Sequence, residues 1–164
     1  MNSQRGFTLI EIMVVVVIAA ILMGAVTISF PRTDEDLLKE DGDRFSAIIA
    51  LIQDEAILQS RDMAMSVIDG GYEFYSREDS AWSVYSEAPF VPRKLKGNNH
   101  AELYVEGDSI KLKSASKTKP QIVIYSSGEM TPFTYVITNP KKSTVTIDVN
   151  AVGVIKKVLK VGDE

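Results

Sequence analysis

Glu11 is the one charged side chain between Phe7 and Phe30, a run of 24 residues that is otherwise almost entirely apolar. As a helix rising about 1.5 Å per residue, the run would reach roughly 36 Å, enough to cross a hydrocarbon core about 30 Å thick. An ionised carboxylate inside such a core costs on the order of 3 kcal/mol. Either a positive partner offsets that cost, or Glu11 lies near enough to the start of the run to reach the headgroups.

The rest of the chain offers little for catalysis. There are no cysteines, and His100 is the sole histidine, so a disulfide, a thiolate metal site and a multi-histidine metal site are all excluded. The serines of Ser126-Ser127-Gly128 lack the G-x-S-x-G frame of a nucleophile elbow, and no EF-hand spacing occurs among the acidic loops. We therefore expect no enzyme and no cofactor and identify no metal-binding residues, while the oxygen-rich acidic loops leave a calcium site open.

The pattern of apolar residues predicts a helix followed by strands. From residue 34 to about 63 the spacing is helical, and residues 64–161 alternate as strands do. The face predicted to cover the sheet comprises Leu38, Phe45, Ile48, Ile49, Ile52, Ala56 and Met63. The predicted strands lie in 66–75 (a hairpin turning at Asp69-Gly70-Gly71), 81–86, 102–106, 109–113, 121–125, 132–138, 143–149 and 152–161, with an irregular connection over 87–99 and a polar link over 114–120. Together with the long apolar segment, this predicts an α+β domain in which a long N-terminal helix packs on antiparallel sheet.

The first residues carry a family resemblance. Arg5-Gly6-Phe7-Thr8-Leu9-Ile10-Glu11 resembles the prepilin peptidase site of type IV pilins and of type II secretion pseudopilins. The resemblance implies a leader peptide over residues 1–6, cleavage between Gly6 and Phe7, and methylation of the new Phe7 amine. It also implies that Glu11 pairs with the N-terminal amine of a neighbouring subunit during assembly.

The same resemblance sets the expected location. It implies a single-pass transmembrane helix over residues 7–30 in the inner membrane and a periplasmic domain over residues 31–164. Arg5 precedes the apolar run and the acidic residues Asp34, Glu35 and Asp36 follow it, so the positive-inside tendency also puts the N-terminus in the cytoplasm before processing. Pro31 should kink or break the helix where the apolar run ends.

Two later segments narrow the resemblance to the H-type minor pseudopilins of type II secretion. The first is the helix Phe45 to Arg61, and the second contains Gly128, Thr131 and Gly153, which match the C-terminal motif of that family. The resemblance implies a structural subunit near the filament tip that links tip subunits to the shaft and helps export folded proteins. The implied partners are other minor pseudopilins, the major pseudopilin, the prepilin peptidase and the inner-membrane assembly platform.

A minor pilin of a type IV pilus is the alternative, including the relatives that bind DNA in competence through a basic C-terminal region. This chain has Lys156, Lys157 and Lys160 near its C-terminus, but lysines at those spacings in a strand do not all share one face, and Asp163 and Glu164 follow. The overall charge of −4 also argues against general nucleic-acid binding. We therefore do not expect nucleic acid as a partner.

Charge is unevenly distributed along the chain. Between Asp34 and Asp79 there are 13 acidic and four basic residues, whereas Arg93 to Lys119 contains seven basic and three acidic residues. These segments form either complementary surfaces that meet between subunits or two separately solvated faces.

Overall fold

The residues with helical spacing of apolar side chains form a long helix, which lies against two antiparallel sheets. The computed structural model describes residues 7–24, 32–112 and 119–162. The chain divides into two units, Met1–Pro31 and Arg32–Glu164. The predicted leader with Gly6, the predicted break at Pro31 and most of the polar link lie outside the described residues.

The elements of the described residues follow the predicted order of helix, then strands. The first unit contributes helix α1 (Leu9–Gly24). The second unit contributes helix α2 (Asp34–Leu58), β1 (Met63–Ile68), β2 (Gly71–Glu78), β3 (Ala81–Tyr85), β4 (Arg93–Lys94), β5 (His100–Val105), β6 (Asp108–Ile110), β7 (Ile122–Ile124), β8 (Phe133–Thr138), β9 (Thr144–Val149) and β10 (Ile155–Lys160). The predicted α+β class, with a helix packed on antiparallel sheet, is confirmed.

Helix α2 begins with a capping box. The backbone N–H of Asp36 donates to Thr33 Oγ1 over 3.2 Å, and the N–H of Thr33 donates back to Asp36 Oδ2 over 3.0 Å. These reciprocal bonds satisfy donors that a helix N-terminus otherwise leaves free. The bonds from the Thr33 N–H and hydroxyl hold the pKa of the Asp36 carboxyl below its usual value.

The end of α2 comes earlier than the boundary predicted near Met63. Ser60 takes a φ of +49°. In that conformation its N–H donates to Ile57 O over 3.1 Å, and Arg61 N–H donates to Ala56 O over 3.1 Å. This is a Schellman arrangement, which usually requires glycine at the left-handed position. Because serine rather than glycine occupies that position, no clear stop signal marks the end of the helix in the sequence.

The strands form two five-stranded sheets. Sheet A has the order β3-β2-β1-β7, with β4 also pairing with β2, and sheet B has the order β10-β9-β8-β5-β6. All pairings are antiparallel. The predicted hairpin turning at Asp69 and Gly70 is confirmed as β1–β2, and Gly70 has a φ of +79° there.

The core lies between α2 and the inner faces of both sheets. The predicted helix face is buried, and its last predicted member, Met63, is buried as the first residue of β1. Phe45 is central, because its ring stacks on Tyr135 at 4.0 Å between centroids and meets Tyr72 edge-on at 5.4 Å. Burial raises the pKa of the Tyr135 hydroxyl, which keeps it protonated inside this apolar layer.

A buried carboxylate attaches the irregular connection over residues 87–99 to the helix. Asp41, whose side chain is fully buried, accepts hydrogen bonds from Arg44 Nη2 at 2.6 Å, from the N–H of Lys96 at 2.8 Å and from Asn99 Nδ2 at 3.0 Å. Arg44 Nη2 also donates to Lys94 O over 3.0 Å. Two groups of the connection, the Lys96 N–H and the Asn99 amide, and one side chain of α2 itself, Arg44, therefore depend on one carboxylate.

The acidic and basic segments identified in the sequence meet within the chain. The Lys96 ammonium pairs with Glu40, and its hydrogen bond holds the pKa of the Glu40 carboxyl below the usual value. Arg44 pairs with Asp41 on the same helix. Some of the charged side chains that could have paired between subunits therefore pair within the chain, where they hold the connection over residues 87–99 to α2.

Candidate assembly site

The predicted assembly residue Glu11 lies in the exposed first turn of α1, and Phe7 precedes that helix. The Thr8 carbonyl accepts from the N–H of Glu11 at 3.0 Å and from that of Ile12 at 3.3 Å, which starts the helix just after Phe7. Glu11 therefore lies in the first turn, where the helix macrodipole favours a carboxylate. Gly6, the other residue of the predicted cleavage site, lies outside the described residues.

The surface of α1 is apolar on every side. From Phe7 to Ile21 every side chain except that of Ala19 is exposed, and Glu11 is the one charge among them. A helix with no polar face is stable only where something other than water surrounds it. Among the described residues, no helix is both long enough and apolar enough to span a membrane.

The residues of the predicted C-terminal motif meet near the end of α2. The amide Nε2 of Gln53 donates to Gly128 O at 2.6 Å and to Val152 O at 3.3 Å. This side chain therefore joins the turn before β8 to the loop before β10. Both glycines of the motif have positive φ, +89° at Gly128 and +80° at Gly153, so the two turns use conformations that suit glycine.

Thr131 secures the same region to sheet A. Its N–H donates to Val123 O at 2.9 Å, and its Oγ1 accepts from the N–H of Val123 at 3.1 Å. The neighbouring Met130 N–H donates to Ala151 O at 2.9 Å, which ties the turn to the β9–β10 loop. The motif residues thus hold two loops and a strand together.

Gln53 was not identified from the sequence. It interrupts the apolar side of α2 between Ile52 and Ala56, and a polar residue at that place is a signal for a long-range hydrogen bond. Its partners are main-chain carbonyls 75 and 99 residues further along the chain. Backbone acceptors have no residue signature, so the pairing could not be deduced.

We expect Gly153→Ala to lower the free energy of unfolding by about 2 kcal/mol. The new methyl group would strain the backbone at positive φ, at about 1 kcal/mol, and would collide with the Gln53 amide. Urea denaturation measures the effect. In a Gln53→Ala background the same substitution should cost about 1 kcal/mol less, because the collision is removed.

Gly107→Ala is the matched control for that experiment. Gly107 has a φ of +92°, but a methyl group there meets nothing within 4 Å. The loss of stability in Gly107→Ala therefore measures backbone strain alone. Equal costs for Gly107→Ala and Gly153→Ala would show that the contact between Gly153 and Gln53 contributes nothing.

A second apolar surface runs along the exposed side of α2. Ala47, Leu51 and Leu58 follow one another at helical spacing, and Leu51 and Leu58 are 46% and 79% exposed. We call these three residues the α2 ridge. Exposed apolar residues that recur on one helix face offer a surface for contact with another protein.

No residue group among the described parts of the chain suggests a metal site. There, no three His, Cys, Asp or Glu side chains lie close enough together to hold a metal ion. His100 is exposed at the start of β5. The features that do stand out are an apolar helix with one carboxylate and a helix packed on two antiparallel sheets, and these define a pilin-like subunit.

Comparison with known proteins agrees with that class. A family model for the prokaryotic N-terminal methylation motif matches residues 1–27, and a model for type II transport protein GspH matches residues 41–153. Type II secretion system protein H of Pseudomonas aeruginosa is 32% identical over 144 residues, covering 81% of this chain and 82% of that protein. Its counterpart in Escherichia coli is 28% identical over 143 residues, covering 85% and 83%.

Solved structures show the same fold. The minor pseudopilin EpsH of Vibrio cholerae superposes with a TM-score of 0.65 at 20% identity, covering 77% of this chain and 98% of that one. The type IV minor pilin FimU of P. aeruginosa gives a TM-score of 0.54 at 15% identity, covering 79% and 92%. The chain belongs to the type II transport protein GspH family. Its function is that of a minor pseudopilin, a structural subunit of the type II secretion system.

Proposed function

We propose that this minor pseudopilin links the tip subunits of the pseudopilus to its shaft. The observation that carries the proposal is the exposed apolar surface of α1, broken only by Glu11. Such a surface fits both a bilayer before assembly and the apolar helices of neighbouring subunits after it. The single carboxylate then acts as the group that fixes the axial position of each subunit.

Maturation prepares that surface. In this proposal the prepilin peptidase cleaves between Gly6 and Phe7, and the Phe7 amine is methylated. The match of the methylation-motif model to residues 1–27 supports this. Before assembly the chain is anchored in the inner membrane by residues 7–30, with the domain in the periplasm. The Glu11 carboxylate pairs with the amine of a neighbouring subunit.

The α2 ridge provides the contact above the membrane. A linking subunit needs two different neighbours, a tip subunit on one side and the major pseudopilin on the other. Leu51 projects from the middle of α2 and is exposed enough to contact a neighbouring helix. Exclusion of water from the ridge would stabilise the contact, at about 25 cal/mol for each Å² of apolar surface buried.

Site-specific crosslinking tests the proposal cleanly because the chain has no cysteine. Leu51→Cys, labelled with benzophenone maleimide, is mixed with the other pseudopilins of its system in membranes and irradiated. We expect adducts with two different subunits, one minor and the major pseudopilin. Val84→Cys is the control, since Val84 is exposed on β3 and is not part of the ridge.

Two results would contradict the linking role. Adducts between Leu51→Cys and a single kind of subunit would place the chain at an end of the filament. Equal adduct yields from Leu51→Cys and Val84→Cys would show that the ridge is not a preferred contact.

A further inference from the structure

Strand β10 forms a free edge of sheet B. Among the described residues it pairs with β9 alone, in the register Ile155 to Val149 through Lys160 to Thr144. The backbone N–H and C=O groups on its other side therefore have no strand partner there. A free edge of six residues is a template to which an extended segment can add as a further strand.

The edge also offers apolar side chains on both of its faces. Val158 and Leu159 are 38% and 39% exposed, and the flanking Val154 and Val161 are each 61% exposed. Val158 lies on the outer face of sheet B and Leu159 on the face towards α2, because successive side chains alternate. A groove lined in part by Pro132, Thr134 and Val154 begins beside Lys156 and extends this surface.

The charge along this edge is positive, although the whole chain carries −4. Lys156 and Lys160 are exposed on the same outer face as Val158, while Lys157, on the opposite face, pairs with Asp43 of α2. Acidic groups on the outer face include Asp148, which is opposite Lys156 in the sheet and accepts from Thr134 Oγ1 at 2.7 Å, and Glu106, which lines the same groove as Lys156.

Positively charged residues also lie beside the C-terminal end of β10. Gly162 N–H donates to Ser143 Oγ at 3.1 Å and lies against the backbone of Lys141 and Lys142. Those two exposed lysines form the β8–β9 turn. Lysine side chains therefore lie along β10 and beside its C-terminal end, where Asp163 and Glu164 follow in the sequence.

We propose that β10 binds an extended, acidic segment of another protein by strand addition. Carboxylates of that segment lie opposite Lys156 and Lys160, and its apolar side chains lie opposite Val158 and Leu159. We take that protein to be a neighbouring subunit, and this step rests on the function proposed above. The acidic, extended character of the segment is inferred from β10 itself.

Two other occupants fit the same surface less well. A second copy of this chain paired through β10 would put one lysine-rich strand against another, which is unfavourable. Nucleic acid could use Lys156 and Lys160, but neither the backbone edge nor Val158 and Leu159 would contribute to its binding. Lysines on an edge strand discourage indiscriminate pairing, so they select a partner of opposite charge.

Amide hydrogen exchange on the full chain in zwitterionic detergent micelles tests the proposal. The probe is a six-residue peptide with glutamate at positions one and five and valine, isoleucine or threonine elsewhere. A control peptide has lysine at those two positions, and a 20-base-pair DNA duplex is the third probe. We expect the acidic peptide alone to slow exchange at Ile155–Lys160 and to bind more tightly at low salt.

Charge reversal provides matched variants. Lys156→Glu combined with Lys160→Glu should weaken binding of the acidic peptide about tenfold at low salt, because two attractions become repulsions. Lys94→Glu combined with Lys111→Glu reverses two exposed lysines elsewhere and should change the affinity less than about twofold.

The proposal is overturned if the acidic peptide leaves exchange in β10 unchanged, if the lysine peptide binds as tightly, or if the duplex binds through Lys156 and Lys160 more tightly than the peptide does. None of these results would affect the crosslinks expected from Leu51→Cys. Failure of the strand-addition site and failure of the linking role are therefore distinguishable.

Discussion

Glu11→Ala is expected to leave the chain inserted in the membrane and processed at its N-terminus, while recovery of neighbouring subunits falls at least tenfold. In the proposed assembly the Glu11 carboxylate faces a positive amine in a medium of low dielectric constant. Removing it leaves the amine buried without a partner, and breaking a buried ion pair typically costs about 3 to 5 kcal/mol. Because about 1.4 kcal/mol corresponds to a tenfold change in binding, even part of this loss is measurable.

The measurement is co-purification of the other pseudopilins with the tagged chain from solubilised membranes. Intact mass of the recovered chain verifies that it begins at a methylated Phe7 in both proteins. Glu11→Gln separates charge from hydrogen bonding, since the amide keeps the shape and loses the charge. If Glu11→Ala recovered its partners at the wild-type level, pairing through Glu11 would be refuted.

Asp41→Ala is expected to cause the largest loss of stability among the polar substitutions, about 3 kcal/mol in the free energy of unfolding. The change removes the acceptor of three hydrogen bonds and leaves Arg44 without its carboxylate. For a domain of this size the midpoint of thermal unfolding should fall by about 10 °C. Residues 87–99 should also exchange their amide hydrogens faster.

Asp54→Ala is the control on the same helix, because Asp54 is exposed. Its effect should stay within about 0.5 kcal/mol. A loss of stability in Asp41→Ala as small as that in Asp54→Ala would show that the Lys96 and Asn99 contacts do not hold the loop.

The parts of the fold that depend on local pattern could be predicted. The helical spacing of Leu38, Phe45, Ile49 and Ile52 identified the buried face of α2, because one side of an amphipathic helix must leave water. Alternation from Phe133 to Thr138 identified β8 for the corresponding reason in a strand. Asp69 and Gly70 marked the β1–β2 turn, since glycine accepts the positive φ that the turn requires.

The contacts that join distant parts of the chain could not be predicted. Asp41 was one acidic residue among many, and nothing local distinguishes a buried carboxylate with three donors from a solvated one. Gln53 acts on carbonyls, which every residue has. The pairing of Lys96 with Glu40 depends on a loop that returns to α2. A sequence with complementary charged segments therefore does not show whether they pair within one subunit or between two.

The hydrogen bonds of Gln53 have a mechanical consequence. A load applied along α2 reaches the sheets through the groups that attach the helix to them. Gln53 connects α2 to Val152 just before β10, and the ion pair between Asp43 and Lys157 connects it to the strand itself. An axial pull on the helix is therefore transmitted directly to the outer edge of sheet B.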